Sequence, residues 1–224
     1  MLEQTPTRKF YDNLAKVWDL VLSSAPTKRF REARTVQKAA HTAIRPSDCV
    51  LELGSGTGFY TKHLCSISRK VIATDFSPAM LRKLGKKLSD VQNVTIQRAD
   101  INNFTLKNGY EVIVAIGVSE HVRLASMLKV FSTSNADRAI YSVPTTTNMG
   151  LFIRLMYRVF GVHYRLYSVQ EVKDTLSEFS DISCQIVDVE PFAFLSHQAM
   201  ILHLHKNGNG GNGRTEIGPE PPAN

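Results

Sequence analysis

The string VLELGSGTGFY, residues 50–60, constrains the fold more than any other part of the chain. An apolar run leads to Glu52, and three glycines at alternate positions then permit a tight turn into a helix, where a ligand can approach the backbone closely. A dinucleotide-binding loop would carry its third glycine where Phe59 stands, and the lysine of a phosphate-binding P-loop is absent. The spacing therefore favours a ligand that is bound without phosphates.

Short β-rich runs alternate with helical runs around this loop. The β-rich runs are CVLEL, KVIAT, VTIQRA, YEVIVAI and RAIYSV, and two more, ISCQIVDVE and HQAMILHLH, follow near the end. Such alternation is typical of a doubly wound α/β fold, so the sequence predicts a Rossmann-like, mostly parallel sheet of seven strands. Because no helix separates the last two runs, we expect them to form an antiparallel edge hairpin.

Chain length and composition predict a single domain over residues 1–205. Two helices are expected within residues 1–45, the second beginning near Pro26. Residues 145–168, after the fifth strand, are too long for an ordinary loop and are expected to carry a helix of their own. That insertion forms either a lid at the acceptor pocket or an extension of the core. Residues 206–224 are rich in Gly, Asn and Pro and are predicted to be a disordered tail.

The formal net charge of +7 is concentrated near the N-terminus. A positive face there suits nucleic acid, an anionic membrane surface or an acidic carrier protein, although we favour a solvated helix surface. The three cysteines show no Cys-x-x-Cys spacing, which argues against a disulfide framework and a zinc site. The polar start and the lack of a long apolar run predict a cytoplasmic protein.

Taken together, these motifs resemble the class I S-adenosylmethionine (SAM)-dependent methyltransferases. The first motif of that family reads hydrophobic-hydrophobic-Glu/Asp-hydrophobic-Gly-x-Gly-x-Gly, and residues 50–58 match it. Asp75 stands where the family places the acid that binds the ribose hydroxyls. Asp100 and Ile101 stand where a carboxylate takes the adenine amino group and an apolar side chain covers the ring. The backbone at Ile116 and Gly117 would face the methionine end of the cofactor.

The opening FYDNLAKVWD resembles that of ubiquinone- and menaquinone-pathway methyltransferases, in which the first helix folds over the cofactor. Tyr11 and Trp18 are therefore lid candidates, and core packing explains Trp18 equally well. The cofactor-binding residues that the resemblance implies are Tyr11, Glu52, Gly54, Ser55, Gly56, Thr57, Gly58, Asp75, Phe76, Asp100, Ile101, Ile116 and Gly117.

Glu120 and His121 follow the fourth strand and admit three interpretations. The first, which we favour, makes Ser119 the cap of the next helix, with Glu120 and His121 on the surface of its first turn. The second makes His121 a general base, because its ordinary pKa suits proton removal near neutral pH. The third is a divalent metal site as in Glu-x-x-Glu-His relatives, but Gly117 replaces the first Glu, so no metal is expected.

The resemblance implies methyl transfer from SAM, which leaves S-adenosylhomocysteine (SAH). We expect a small-molecule acceptor methylated at oxygen, in a pocket lined by the insertion residues Phe152, Met156, Tyr157, His163 and Tyr164. Tyr11 and His121 are the candidate catalytic residues. Methylation of nitrogen or carbon, of RNA, or of a carrier-bound group are the alternatives. The chain lacks the Asn/Asp-Pro-Pro-Tyr/Phe motif of many nucleic-acid amino methyltransferases, which argues against nucleic acid.

Overall fold

A computed structural model of the chain describes residues 6–16, 26–103, 108–188, 199–207 and 215–217. Trp18, one of the two lid candidates, lies outside these ranges. The helices are α1 (Pro6–Leu14), α2 (Pro26–Ala43), α3 (Thr61–Ile67), α4 (Pro78–Lys87), α5 (Leu124–Thr133), α6 (Asn148–Val159) and α7 (Val169–Ser177). The strands are β1 (Cys49–Leu53), β2 (Lys70–Asp75), β3 (Val94–Arg98), β4 (Val112–Ala115), β5 (Arg138–Pro144), β6 (Ile182–Asp188), β7 (Ala199–Lys206) and β8 (Thr215–Ile217).

The strands form one sheet in the order β3-β2-β1-β4-β5-β7-β6-β8. The first five pair in parallel, and β7 runs antiparallel to both β5 and β6. This confirms the predicted doubly wound, mostly parallel sheet, the second helix at Pro26 and the helix in the insertion. The last two predicted strands do pair antiparallel, but β7 lies between β5 and β6 instead of forming an outer hairpin.

The eighth strand departs from the predicted tail. Thr215–Ile217 pair in parallel with Cys184–Ile186 of β6, and Lys206 still belongs to β7. Both Thr215 and Ile217 are β-branched, which suits a strand at an open sheet edge, but three residues are too few to indicate a strand by composition. The rest of the predicted tail lies outside the described residues, apart from Asn207.

Both faces of the sheet are covered by helices. Every residue of β4 is buried, and its side chains alternate between the two core clusters: Ile113 and Ala115 face α5 and α7, whereas Val112 and Val114 face α2 and α3. A strand buried on both faces needs an uninterrupted apolar sequence, which is what VIVA, the sequence of β4, provides. The centre of the sheet is therefore closed to ligands, and functional groups gather at the strand ends.

A buried ion pair joins the loop between α2 and β1 to the start of β5. The Arg138 guanidinium at the start of β5 donates to both carboxylate oxygens of Asp48, at 2.9 and 3.2 Å. Asp48 is only 3% exposed and also accepts the main-chain N–H of Arg45. This pair lies at the opposite end of the strands from the glycine loop.

No helix within the described ranges is both long and apolar enough to span a membrane. The cytoplasmic location expected from the sequence stays a prediction.

Candidate active site

The residues singled out in the sequence gather at the carboxyl edge of the sheet. Glu52 lies at the end of β1 and Asp75 ends β2, while Asp100 and Gly117 each follow their strands by two residues. Because the carboxyl ends of parallel strands share one edge, groups far apart in the chain become neighbours there. The structure brings the predicted site residues together in this way.

The glycine loop takes a conformation that only glycine adopts easily. Gly54, Gly56 and Gly58 have φ angles of 71°, 56° and 86°, in the left-handed region. A Cβ atom on Gly54 would lie 2.5 Å from Cγ2 of Val118, and one on Gly58 would lie 2.4 Å from Cδ1 of Leu84. Gly54 and Gly58 are thus required by the backbone conformation and by packing.

Ser55 and Thr57 are the buried polar residues of this loop. The Ser55 main-chain N–H donates to the Thr74 carbonyl at 2.9 Å, which ties the loop to β2. The Oγ atom of Ser55 is buried and has no hydrogen-bond partner in the described part of the chain. Buried hydroxyls are normally paired, so this one is a candidate contact for a bound ligand.

Glu52 is buried at the base of the loop. Its carboxylate accepts the Thr61 hydroxyl, at the start of α3, at 2.7 Å. Burial raises the pKa of Glu52 to about 7. The nearby Asp75 carboxylate raises this pKa further, whereas the hydrogen bond from Thr61 lowers it. Glu52 therefore holds the strand to the following helix and is partly protonated near neutral pH.

Asp75 receives main-chain donors on both carboxylate oxygens. Gly56 N–H donates to Oδ2 at 2.9 Å, and Ser77 N–H donates to Oδ1 at 2.8 Å. Burial raises the pKa of Asp75 to about 6, although these hydrogen bonds lower it and the Asp12 carboxylate raises it. Each carboxylate oxygen can accept a further hydrogen bond, so the group can also take ligand hydroxyls.

Asp100 follows β3, and Ile101 begins the short 3-10 turn that comes next. Asp100 Oδ1 accepts from the main-chain N–H and the side-chain amide of Asn102, at 3.0 and 3.1 Å. Ile101 packs against the core cluster on the α5 face of the sheet. The Asp100 carboxylate is thus fixed in orientation, and its partial exposure leaves it accessible.

Helix α1 closes over this edge through Asp12, a residue that the sequence analysis missed. Asp12 Oδ1 accepts the Ser77 hydroxyl at 2.6 Å and the Ala79 N–H at 3.3 Å, at the N-terminus of α4. A carboxylate there is favoured by the helix dipole. In the sequence Asp12 looks like any polar residue on a helix surface, and its place directly after Tyr11 is the only hint of a role.

Tyr11 and His121 meet across the site. The Tyr11 hydroxyl lies 2.6 Å from His121 Nε2, and His121 Nδ1 lies 2.9 Å from the main-chain carbonyl oxygen of His163. A carbonyl can only accept, so Nδ1 carries a proton; burial lowers the pKa of His121, which favours the neutral ring. Nε2 is then an acceptor for the Tyr11 hydroxyl, whose own pKa burial raises well above its ordinary value.

Aromatic rings surround this pair. Tyr11 contacts Phe76 edge-on at 5.9 Å between ring centroids, and His121 lies 5.9 Å from both Tyr157 and Tyr164. Tyr157 and Tyr164 belong to the insertion, so α1 and the insertion enclose His121 from two sides. Such rings exclude water and present π faces that attract a cation.

The favoured interpretation of Ser119 and His121 is wrong. Helix α5 begins at Leu124 after Arg123, without a side-chain cap, and the Leu124 N–H donates to the Tyr167 hydroxyl instead. Ser119 Oγ donates to the Ser142 carbonyl at 2.9 Å, so it holds the turn against β5. The chain turns at residues 118–122 because Val118 and Val122 are buried, and this turn directs His121 towards Tyr11.

Ile116 and Gly117 form the bend just before that turn. Gly117 has a φ of 72°, and its N–H donates to Ser142 Oγ at 2.8 Å. A Cβ atom on Gly117 would meet only the Glu120 carboxylate, at 4.0 Å. The backbone here is therefore open to a ligand on one side.

The apolar side of α6 faces solvent. Phe152 and Met156, which the sequence placed in the acceptor pocket, are 57% and 46% exposed. Leu155 and Val159 on the same side are 61% and 76% exposed. On the opposite side of this helix Ile153 and Tyr157 are partly buried, so the four exposed side chains do not extend the core.

Within the described ranges, no three His, Cys, Asp or Glu side chains are close enough together to hold a metal ion.

Comparison with known proteins agrees with this geometry. Residues 50–135, from β1 to just past α5, match a family model described as a methyltransferase domain. Over these residues the chain is similar to known methyltransferase domains. The resemblance read from the glycine loop and the strand-end acids is confirmed.

Curated relatives of the methyltransferase domain act on different acceptors. An rRNA adenine N-6-methyltransferase of Bacteroides fragilis is 28% identical over 127 residues, which cover 55% of this chain and 47% of that protein. A malonyl (acyl-carrier protein) O-methyltransferase of Bacillus cereus is 29% identical over 126 residues, covering 51% of this chain and 42% of that protein. The chain spans about half the length of such relatives.

Solved structures resemble this chain over most of its length. Magnesium protoporphyrin IX methyltransferase of Synechocystis, determined with bound SAH, has a TM-score of 0.70 at 14% identity and covers 91% of this chain and 100% of its own. A DhpI–SAM–HEP complex has a TM-score of 0.67 at 18% identity and covers 89% and 96%. At such identities the likeness concerns the fold.

Proposed function

We propose that the methyltransferase domain transfers a methyl group from SAM to a hydroxyl oxygen of a small-molecule acceptor, with His121 as the general base. The observation that carries this proposal is the hydrogen-bonded series from Tyr11 through His121 to the His163 carbonyl. It supports a neutral imidazole whose unprotonated Nε2 faces the enclosed site. That is the state in which a histidine can accept a hydroxyl proton.

The residues at the carboxyl edge fit SAM. Asp75 suits the ribose hydroxyls, since its carboxylate is oriented by two main-chain donors and can accept more. Asp100 suits the adenine amino group, and Ser55 Oγ offers a buried hydroxyl that needs a partner. SAM, when bound, supplies a methyl group attached to a sulfonium sulfur. After transfer of the methyl group, the remainder of the cofactor leaves as the thioether SAH.

His121 and Tyr11 have separate tasks in this proposal. His121 Nε2 accepts the proton of the acceptor hydroxyl while the acceptor oxygen takes up the methyl group. The resulting imidazolium keeps its Nδ1–H bond to the His163 carbonyl, which stabilises the added charge. The Tyr11 hydroxyl donates to Nε2 of His121 until the acceptor hydroxyl replaces it there. Tyr11 then orients the acceptor hydroxyl. Holding the reactants in line supplies most of the rate enhancement.

The test compares His121→Asn with the natural protein and with His205→Asn, a matched control on an exposed residue of β7. Methyl transfer from labelled SAM is measured with a panel of hydroxyl-, amine- and carboxylate-bearing compounds. We expect hydroxyl compounds to be methylated, with kcat lowered by about 10²–10⁴ in His121→Asn and unchanged in the control. SAM affinity should be unchanged in both.

The pH dependence gives a second measure. Burial lowers the pKa of His121, and the base must be neutral to act, so kcat should rise with pH through a value below the ordinary pKa of histidine and then level off. Tyr11→Phe should lower kcat about tenfold, the loss of about one hydrogen bond. The proposal fails if His121→Asn retains the natural rate and pH profile, or if amines alone are methylated.

An RNA acceptor is the second candidate, favoured by the rRNA adenine methyltransferases among the relatives. Against it, the turn after β4 reads Gly117-Val118-Ser119-Glu120, without the two prolines and the aromatic residue of many amino methyltransferases of nucleic acids. RNA methylation would weaken steeply as salt rises, whereas transfer to a small molecule would change little.

A further inference from the structure

A cavity of about 750 Å³ opens beside the candidate active site. Helix α6, the loop that follows it, the start of α5 and one side of α7 form its walls. His163 and Tyr164 line this cavity and also reach His121, the first through its carbonyl and the second through its ring. The cavity and the site of the proposed base therefore share a wall.

The cavity is strongly cationic. Four arginines line it: Arg123, Arg154, Arg158 and Arg165. None of these guanidinium groups forms an ion pair with another described residue. One acidic residue, Glu171, lines the cavity, and its carboxylate is already used because it accepts the Ser168 N–H at 2.6 Å as part of the cap of α7. An excess of unneutralised arginine in a concave site attracts anions.

Arg165 adds a second, independent sign of a ligand. Its main-chain N–H donates to the Glu120 carbonyl at 2.8 Å, which fixes the residue next to His121. Its side-chain Nε is buried and has no hydrogen-bond partner among the residues that the structure describes. A guanidinium stays charged and can only donate, so an acceptor from outside the protein is the natural partner.

We propose that this cavity binds an oxyanionic group, a phosphate or a carboxylate, of the methyl acceptor. The inference rests on the proposed function and names its substrate class: a small molecule that carries a hydroxyl near His121 and an anionic group held by Arg158 and Arg165. Guanidinium groups match such oxyanions because two parallel N–H donors bind two oxygens at once. The anionic group would fix the acceptor relative to the base.

Binding of inorganic phosphate and of acetate to the full chain, without SAM, tests this directly by calorimetry. Arg158→Gln/Arg165→Gln should weaken binding at least about tenfold, since the double variant removes the charge-assisted hydrogen bonds of both guanidinium groups. Arg82→Gln/Lys86→Gln on the exposed side of α4 removes the same charge and should leave binding unchanged. The anion that binds more tightly identifies the acceptor group. SAM binding by the first variant verifies its fold.

The outcomes separate the two proposals. Phosphate or acetate binding needs no turnover, so retained anion binding without any methyl transfer would refute the proposed function and keep the anion site. Absence of saturable binding of both anions, or binding that ignores the Arg158 and Arg165 substitutions, overturns the anion site. A short RNA could instead bind more weakly as salt rises and lose affinity in Arg158→Gln/Arg165→Gln, while neither small anion binds. In that case the cavity binds the phosphodiester backbone of RNA and the small-acceptor inference is wrong.

Discussion

Replacing Glu52 by glutamine removes an ionisable group from the base of the glycine loop and keeps an oxygen that can accept the Thr61 hydroxyl. Burial raises the pKa of Glu52 from 4.5 to about 7. At about 1.4 kcal/mol per pKa unit, ionising this carboxyl costs the folded protein about 3 kcal/mol more than the unfolded chain. The protonated form is therefore the stabilising one.

The sign of the pH dependence follows from this. The stability due to protonated Glu52 is fully present below pH 4.5 and is lost as the pH rises through about 7. Between pH 5 and pH 8 the free energy of unfolding of the natural protein should fall relative to Glu52→Gln by about 2 to 3 kcal/mol. The pKa of Asp75 is also raised, so Asp75 changes the stability with pH in the same direction. Subtracting the stability curve of Glu52→Gln from that of the natural protein largely removes the contribution of Asp75.

Urea unfolding of both proteins, repeated at several pH values, measures this difference. The buried amide of glutamine adds a constant offset, so the change of the difference with pH is the informative quantity. Glu178→Gln, at an exposed position after α7, is the control that loses a carboxylate elsewhere, and its curve should run parallel to that of the natural protein. A Glu52→Gln curve that also runs parallel would refute the reasoning.

Three further predictions concern packing, a buried ion pair and cofactor binding. Gly54→Ala combines a positive φ with a Cβ contact of 2.5 Å to Val118 and should lower the free energy of unfolding by about 3 kcal/mol. Val118→Ala removes the contacting methyl group and should reduce that loss. If Gly54→Ala costs as much stability in the Val118→Ala background as in the natural protein, the clash is not the cause. Arg138→Met leaves Asp48 buried without its cation and should cost about 3–5 kcal/mol by urea unfolding. Adding Asp48→Asn to Arg138→Met should recover most of that loss. If Arg138→Met alone costs less than about 1 kcal/mol, the ion pair does not stabilise the fold. Asp75→Asn should weaken SAM binding about tenfold to a hundredfold, since hydrogen bonds to a charged group contribute about 1.5–3 kcal/mol. Calorimetry measures this, and an unchanged affinity would exclude Asp75 from the ribose site.

Local patterns in the sequence predicted the features that depend on short segments. The acids at positions 75 and 100 were placed at strand ends through the resemblance of the glycine loop and the following strands to a known family, and the structure has them at or just after the ends of β2 and β3. The antiparallel relation of β6 and β7 followed from the missing helix between them. The sequence also predicted that Tyr11 approaches the site, through the resemblance of its opening helix.

Features that depend on contacts between distant segments were missed. The docking of Asp12 on α4 joins residues 65 positions apart, and nothing in the local pattern distinguishes it from a solvated acid. Ser119 looked like a helix cap, since the sequence does not show that α5 begins five residues later. The place of β7 between β5 and β6 is set by which sheet edge is free, which strand patterns alone do not encode.

The proton arrangement on His121 depends on the main chain at position 163 and not on the side chain there. The His163 side chain is exposed, and every amino acid, proline included, carries the carbonyl that holds Nδ1–H. Substitutions at position 163 can therefore accumulate during evolution without altering the tautomer of His121. Since the same residue also lines the cavity that carries the four arginines, the lining of that cavity can change at this position while the unprotonated nitrogen of His121 stays as it is.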